Sequence, residues 1–391
     1  MHPRERVLTV LNHRLPDHVP FIPKIWIDLA ANVLALPFVD VLNDPALGML
    51  AIIRAALELQ LDGARLFAFP HRRIVESNGE YRQIGFDGAA LGTLDIQGGW
   101  ATQLVDDSNF NLSDPEMIAA YQFWHTSKPA VANRQDVERI TVPSASFYVQ
   151  AGYGAIVQSA LALTGNQLCC IGDCSSGTLA FQVALRGLAR AMLDLVEEPV
   201  LTHSIMEKGI QISFERAKFF IDRGVKVLRY NDSVANMSVI SPRHWRQFIL
   251  PPLKTFCAEV HHYAHDAKIY CHICGNVMPI LNDLVASELD CIAPLDPLGG
   301  FTVAQARQKV GDDFVLMGGI NTLSFVESLP SEIAAEAKRC IETGGPRGAF
   351  ILGSGCVVPR NAKRDNLLVL HQSAERYGTY DQARSQLALG S

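Results

Sequence analysis

Short apolar runs alternate with longer stretches of helical periodicity along this chain, most regularly from about residue 168 onwards. Apolar runs bounded by polar residues and glycines are typical of buried parallel strands. They predict strands at Val19–Ile25, Gly63–Phe69, Leu168–Gly172, Val225–Tyr230, Ala267–Ile273, Asp290–Leu295, Phe314–Gly319 and Ala349–Gly353. Helical patterns lie between the later strands, at Pro242–Ala264, from near Val277, Val303 and Ser331, and at Ala362–Tyr377.

Eight strand–helix units are the number found in a (β/α)8 barrel, so the sequence predicts an α/β protein with a TIM-barrel fold. A doubly wound open sheet is the alternative, but no Gly-x-Gly-x-x-Gly segment follows the first strand. We expect one domain over residues 1–391, with an N-terminal extension and a rim insertion between strands 2 and 3 at about 71–165. Within this insertion, Ile74–Ile84 is predicted as a hairpin turning at Asn78-Gly79, and Asp114–Trp124 as a helix.

The composition is that of a globular protein with a large core, since 48% of the 391 residues are hydrophobic and 19% are charged. A net charge of −6 and a pI near 6.1 argue against binding to nucleic acid. No apolar run approaches the roughly 20 residues that span a membrane, and the N-terminus has no signal-peptide pattern. We therefore expect a cytoplasmic enzyme for a small-molecule substrate. Association into a homo-oligomer is compatible with the sequence.

Three residues of metal-ligand type fall at the ends of predicted strands. His272 and Cys274 are two positions apart, so their side chains project to the same face of an extended segment. Cys356 follows the last predicted strand in a Gly-Ser-Gly-Cys turn. The active sites of such barrels lie at the C-terminal ends of the strands. Thiolate and imidazole donors suit zinc, and three protein donors leave one position open, as in catalytic zinc sites.

Other polar residues are predicted at the same end of the barrel. Tyr230-Asn231-Asp232 ends the fourth strand, which indicates that Asp232 is a general acid or a group that orients a metal ligand; an Asx turn is the simpler alternative. Arg72 follows the second strand in His71-Arg72-Arg73, and Lys24 and Trp26 follow the first. Arginine at such a mouth commonly binds carboxylate or phosphate, and a solvated surface pair is the alternative. Substrate contacts are expected from Arg72, Trp26, Tyr230 and Asn231.

These motifs resemble the uroporphyrinogen decarboxylase superfamily, in particular its zinc-dependent, corrinoid-linked methyltransferase branch. The resemblance covers most of the chain and is most specific at the metal-ligand motifs. It rests on Arg4-Glu5-Arg6-Val7-Leu8, Asn12-His13, Pro16-Asp17-His18-Val19-Pro20, Asn231-Asp232, Ile240-Ser241-Pro242, Pro251, His272-Ile273-Cys274-Gly275-Asn276 and Gly355-Cys356. Decarboxylases of this superfamily carry a basic motif after the first strand. Here residues 21–28 contain no close pair of arginines, which favours methyl transfer.

The resemblance implies that His272, Cys274 and Cys356 bind Zn2+ and that the corrinoid (cobalamin) is carried by a partner protein. It implies methyl transfer between a small substrate and the corrinoid cobalt. The extra residues at 71–165 favour O-demethylation of a methoxylated methyl donor, for example an aromatic compound. The alternatives are a methylcobamide:thiol methyltransferase of the coenzyme M type, a metal-independent decarboxylase-like enzyme, and a non-catalytic module that binds the corrinoid protein.

Overall fold

A computed structural model describes residues 1–67, 73–84, 90–94, 111–121 and 129–380. The strands in these ranges are β1 Gly63–Leu66, β2 Arg73–Ser77, β3 Glu80–Ile84, β4 Ala90–Leu94, β5 Cys169–Asp173, β6 Val227–Asn231, β7 Lys268–His272, β8 Cys291–Leu295, β9 Val315–Ile320 and β10 Phe350–Ser354. The helices are α1 Pro3–Leu11, α2 Ile27–Val33, α3 Phe38–Asn43, α4 Pro45–Glu58, α5 Pro115–Ala119, α6 Arg134–Glu138, α7 Ala145–Gln150, α8 Tyr153–Thr164, α9 Leu179–Arg186, α10 Leu188–Glu197, α11 Pro199–Ile221, α12 Pro242–His244, α13 Leu250–Tyr263, α14 Leu281–Val285, α15 Val303–Val310, α16 Ser324–Glu327, α17 Pro330–Gly344 and α18 Arg364–Gly378.

Seven parallel strands in the described part of the chain form one curled sheet, in the order β1-β5-β6-β7-β8-β9-β10. The six predicted strands from residue 168 onwards are all present, and each begins one or two residues later than predicted. The strand predicted at Gly63–Phe69 is β1, which ends at Leu66. Helices follow these strands along the chain, so the predicted (β/α)8 barrel is confirmed.

The eighth strand, predicted at Val19–Ile25, is not a regular strand. This segment instead closes the barrel between β10 and β1 through isolated bridges and single hydrogen bonds. The Leu352 N–H donates to the Pro20 carbonyl at 2.8 Å, and the Asp62 N–H donates to the Phe21 carbonyl at 2.9 Å. Proline has no N–H to donate, so Pro20 and Pro23 prevent a continuous ladder here.

The barrel interior and the layer between sheet and helices are two separate cores. The interior core includes Tyr270 and Ile351, and α1 contributes Val7, Val10 and Leu11 to it. The N-terminal extension therefore packs against the inside of the barrel. The outer core contains the residues that point from the strands towards the helices, and Cys271 is one of them. Alternating side chains of each strand thus belong to alternating cores.

The rim insertion contains a small antiparallel sheet of β2, β3 and β4 in its described part. The predicted hairpin is confirmed, and Asn78 and Gly79 have the positive φ angles of 55° and 78° that a two-residue turn of type I′ requires. The predicted helix at Asp114–Trp124 appears as the shorter α5, and residues 122–124 lie outside the described residues. A buried guanidinium links the insertion to the barrel, because Arg216 donates to the Tyr148 hydroxyl at 2.8 Å and to the Ala119 carbonyl.

The long helix predicted at Pro242–Ala264 is interrupted near its start. A π-helical turn at Trp245–Ile249 separates α12 from α13, and the Leu250 N–H donates to the carbonyl of Trp245. Pro251 and Pro252 follow this turn and cannot donate the N–H groups of a regular α-helix. Among the described helices, none combines the length and the apolar character that crossing a membrane requires.

Candidate metal centre

Two strand ends bring His272, Cys274 and Cys356 together at the C-terminal mouth of the barrel. His272 is the last residue of β7, Cys274 lies two residues beyond it, and Cys356 lies two residues beyond the end of β10. One donor atom from each side chain lies within 4.8 Å of the other two. His272 is buried, whereas the two cysteines are partly exposed towards the mouth. The cluster therefore combines a buried imidazole with two thiols at partly exposed positions.

Tight glycine turns make this convergence possible. Gly275 has a φ of +86°, a conformation that costs little for glycine alone. Gly355 packs so closely on the neighbouring loop that a Cβ atom there would lie 2.8 Å from Pro297 Cδ and 2.9 Å from Asp296 Oδ1. Asp296 also accepts the Gly275 N–H at 2.9 Å. One carboxylate thus packs against both cysteine-bearing loops.

The protonation chemistry of the cluster suits metal binding. Burial, followed by the charges of Lys24 and Arg229, lowers the pKa of His272 well below its usual value, so its imidazole is neutral. The thiols of Cys274 and Cys356 share a hydrogen bond, which raises the pKa of Cys274 and lowers the pKa of Cys356. A neutral imidazole and an activated thiol are the states that bind a metal ion.

The donor set fits one zinc ion. Zinc binds cysteine sulfur at about 2.3 Å and histidine nitrogen at about 2.0–2.1 Å. The three donor atoms lie within 4.8 Å of one another, so small side-chain movements would bring them to these distances from one ion. Two sulfur donors and one nitrogen donor match the soft-ligand preference of zinc. Three protein donors leave one of the four tetrahedral positions for a substrate.

Lys24, which the strand pattern places at the end of the first predicted strand without assigning it a role, is a polar residue of this cluster. Its Nζ lies 2.9 Å from His272 Nε2. Its backbone N–H donates to Ser354 Oγ at 2.8 Å, and its carbonyl accepts the Val358 N–H at 2.9 Å, so it is fixed on both sides of Cys356. Burial and then repulsion from nearby guanidiniums hold the pKa of the Lys24 amine well below its usual value. Only the closure of the barrel between β10 and β1 places this lysine beside a residue 248 positions away.

A buried ionic group lies beneath the cluster inside the barrel. Arg229 forms a salt bridge with Asp173, and Arg65 Nη1 lies 3.8 Å from the same carboxylate. Burial alone would raise the pKa of Asp173, but the two guanidiniums outweigh burial and lower it. Arg229 also donates to Asn231 Oδ1 at 2.5 Å. The guanidinium of Arg65 lies 5.1 Å from the ring centre of Trp26, within the range of a cation–π interaction.

The predicted substrate residues occupy different layers. Asn231 lies on the interior side, next to the ionic group just described. Trp26 contacts Arg65 of that group with its ring and packs against the outer core. Tyr230 points outwards instead, where its hydroxyl accepts the Gly177 N–H at 3.1 Å and its ring packs on Phe256. The structure therefore does not bring the Tyr230 side chain into the cluster. Arg72 lies outside the described residues.

Asp232 also points away from the cluster and stabilises the start of α9. Its carboxylate accepts the Leu179 N–H at 2.9 Å and the Ala180 N–H at 3.0 Å, together with the Thr178 hydroxyl. It is fully buried, and burial raises its pKa to about 6 against the opposing effect of these bonds. This is helix capping from a neighbouring strand end. A role of Asp232 as general acid stays a prediction.

Asp232→Asn separates these two roles. We expect a loss of about 1–3 kcal/mol in the free energy of unfolding, because the amide nitrogen cannot accept the helix N–H groups. Metal content should stay at the wild-type level. Chemical denaturation and elemental analysis measure the two quantities, with the exposed Asp266→Asn as control. Unchanged stability together with lost activity would assign Asp232 to the chemistry instead.

Comparison with known proteins defines the class of this protein. The family model described as uroporphyrinogen decarboxylase (URO-D) matches residues 121–377. This match spans more than half of the chain, and the chain therefore belongs to the uroporphyrinogen decarboxylase family.

Relatives found by sequence comparison include methyltransferases from Methanosarcina species. The chain is 26% identical over 178 residues to a methylcobamide:CoM methyltransferase, MtaA, from Methanosarcina barkeri, covering 44% of this chain and 49% of that protein. It is 23% identical over 171 residues to a methylated-thiol–coenzyme M methyltransferase from Methanosarcina mazei, covering 44% of this chain and 43% of that protein. The matched region thus spans about half the length of these relatives or less.

A solved structure shares the fold over nearly the whole chain. A methyltransferase from Methanosarcina mazei superposes with a TM-score of 0.70 at 20% sequence identity, covering 96% of this chain and 99% of the other. At this identity the likeness establishes the fold alone.

Proposed function

We propose that this protein is a zinc-dependent methyltransferase that moves a methyl group between a small substrate and the cobalt of a corrinoid carried by a partner protein. The observation that carries the proposal is the convergence of His272, Cys274 and Cys356 at the barrel mouth. The names of the relatives support methyl transfer between a corrinoid and a thiol. The proposal extends that chemistry from the matched half of those relatives to this chain.

Each donor residue has a defined task in this scheme. His272, Cys274 and Cys356 would hold the zinc ion, which when bound lowers the pKa of a coordinated thiol or acts as a Lewis acid towards an oxygen. His272 is buried and already neutral, so it binds without losing a proton. The partial exposure of both cysteines leaves the cluster open on the side from which substrate and corrinoid approach.

A thiol is the substrate class with the most support. Both relatives are named for transfer to coenzyme M, a thiol, and a site with two thiolate donors and one open position accepts a third sulfur ligand. The expected O-demethylation of a methoxylated compound rests on the length of the rim insertion and remains the second candidate. The two candidates share the metal site and differ in the direction of methyl flow.

Paired assays with one preparation test the proposal. We expect zinc-loaded protein to transfer the methyl group of methylcobalamin to 2-mercaptoethanesulfonate, and to lose this activity when a chelator removes the metal. The reverse assay offers cob(I)alamin and a methoxylated aromatic compound; turnover there alone would establish O-demethylation. Full decarboxylation of a porphyrinogen by metal-free protein would overturn the proposal. Binding of a corrinoid protein without any turnover would reduce this chain to a non-catalytic module.

A further inference from the structure

The side chain of Lys24 has no task in the proposed function, yet it lies within hydrogen-bond distance of His272, one of the proposed metal ligands. Its Nζ lies 2.9 Å from His272 Nε2. An amine carries N–H donors in either protonation state, and a neutral histidine offers a lone pair on one ring nitrogen. The tautomer of His272 decides the direction of this contact. With Lys24 as the donor, the bond uses the lone pair of His272 Nε2, and a metal ion bound at that nitrogen needs the same lone pair.

We propose that Lys24 is a positioning residue which holds His272 in place in the metal-free protein and yields its hydrogen bond when the metal site is loaded. This inference rests on the proposed metal site but not on the methyl-transfer reaction. It assigns the residue a place-holding function, in which Lys24 and a metal compete for His272 Nε2. The competition lowers the affinity for metal while it keeps the imidazole oriented towards the two cysteines.

The backbone of Lys24 explains how this side chain is held ready. Its N–H donates to Ser354 Oγ, the Ser354 hydroxyl donates to the Cys356 carbonyl at 2.5 Å, and its own carbonyl accepts the Val358 N–H. The residue is therefore anchored to the loop that carries Cys356, while its side chain reaches the end of β7. Lys24 links the two halves of the cluster without being one of its sulfur or imidazole donors.

These backbone contacts make the side chain testable by itself. Lys24→Met keeps the length and the apolar part of the side chain and all backbone hydrogen bonds, and it removes only the N–H donors. We expect the dissociation constant for zinc to fall about two- to tenfold, the change that corresponds to the net value of one hydrogen bond. The measurement is a competition titration of metal-free protein against a chromophoric zinc chelator.

A control variant and a spectroscopic measurement complete the test. Lys363→Met removes an exposed lysine whose amine contacts Ser328, and its zinc affinity should equal that of wild type. In metal-free wild type, long-range 1H–15N spectra of labelled histidine should show His272 Nε2 without a proton, with the resonance assigned from a His272→Gln variant. The inference would be overturned if the zinc affinity of Lys24→Met were equal to or lower than that of wild type. A protonated His272 Nε2 in the metal-free wild-type protein would also overturn it.

Failure of this inference is distinguishable from failure of the proposed function. Tighter zinc binding by Lys24→Met in a protein without methyl-transfer activity would leave Lys24 as a place-holder and refute the methyltransferase. Normal methyl transfer with unchanged zinc affinity in Lys24→Met would refute the place-holder alone. Wild-type protein that binds no zinc would overturn both.

Discussion

In Cys356→Ala, we expect bound zinc to fall from about one ion per chain to nearly none, and methyl transfer to fall with it. Only His272 and Cys274 of the described donor cluster remain in this variant, and two donors do not hold zinc against competing ligands. Cys274→Ala should have the same effect. Elemental analysis of purified protein and the methylcobalamin assay measure the two losses.

The barrel should remain folded in both variants, because the cysteines are partly exposed at the rim and belong to neither core. Circular dichroism and thermal unfolding check this. Cys271→Ala is the matched control, since this cysteine precedes His272 but points into the outer core. We expect it to retain its zinc. Stoichiometric zinc and full activity in either Cys356→Ala or Cys274→Ala would show that the metal site has been assigned to the wrong residues.

Arg229→Met should lower the free energy of unfolding by about 3–5 kcal/mol, the usual effect of removing one partner from a buried ion pair. Arg229 and Asp173 are each only 3% exposed inside the barrel. Without Arg229, the Asp173 carboxylate keeps Arg65 at 3.8 Å, while the Asn231 amide oxygen loses its donor. Urea denaturation of the metal-free variant and of metal-free wild type measures the difference.

Two comparisons show whether burial is the cause. Arg82→Met breaks the exposed pair with Glu80 and should lower stability by less than about 1 kcal/mol. The double variant Asp173→Leu/Arg229→Met removes both charges and should be more stable than the sum of the two single losses predicts. A loss of under about 1 kcal/mol in Arg229→Met would mean that water or a rearranged Arg65 compensates the buried carboxylate.

Much of the barrel could be predicted because its strands are buried on both faces. Such strands are continuous apolar runs, and this pattern located β5 to β10 within one or two residues at their starts. The closing segment at residues 19–25 has the same apolar composition, but its prolines remove the donors of a regular ladder. The apolar composition thus indicated that this segment belongs to the barrel. Its hydrogen bonds depend on two distant neighbours, β10 and the residue before β1.

The convergence of the three proposed metal donors was predictable for a different reason. Side chains alternate along a strand, so His272 and Cys274 share a face and Cys271 does not. The parallel strands of a barrel end at one mouth, which brings the loop of Cys356 to the same place. Both arguments need only the spacing of residues and the number of strands.

Tyr230 and Asp232 show where this reasoning ends. Both lie at the end of β6, near the barrel mouth. Side chains alternate along this segment: Arg229 and Asn231 point into the barrel, whereas Tyr230 and Asp232 point outwards. When a strand is buried on both faces, the sequence does not indicate which of the two alternating sets of side chains points into the barrel. Contacts with the segment before α9 settle that question for both residues.

The sequence by itself determined the order of the seven paired barrel strands, the class of the fold, and the three residues of donor type that meet at one end of the barrel. These follow from local periodicity and from the common direction of parallel strands. The tertiary structure alone decided which side chains support the donors: Lys24 beside His272, the buried group of Arg229 and Asp173, and Asp232 as a helix cap. Such contacts join residues far apart in the chain, and their geometry exists only after the barrel has closed.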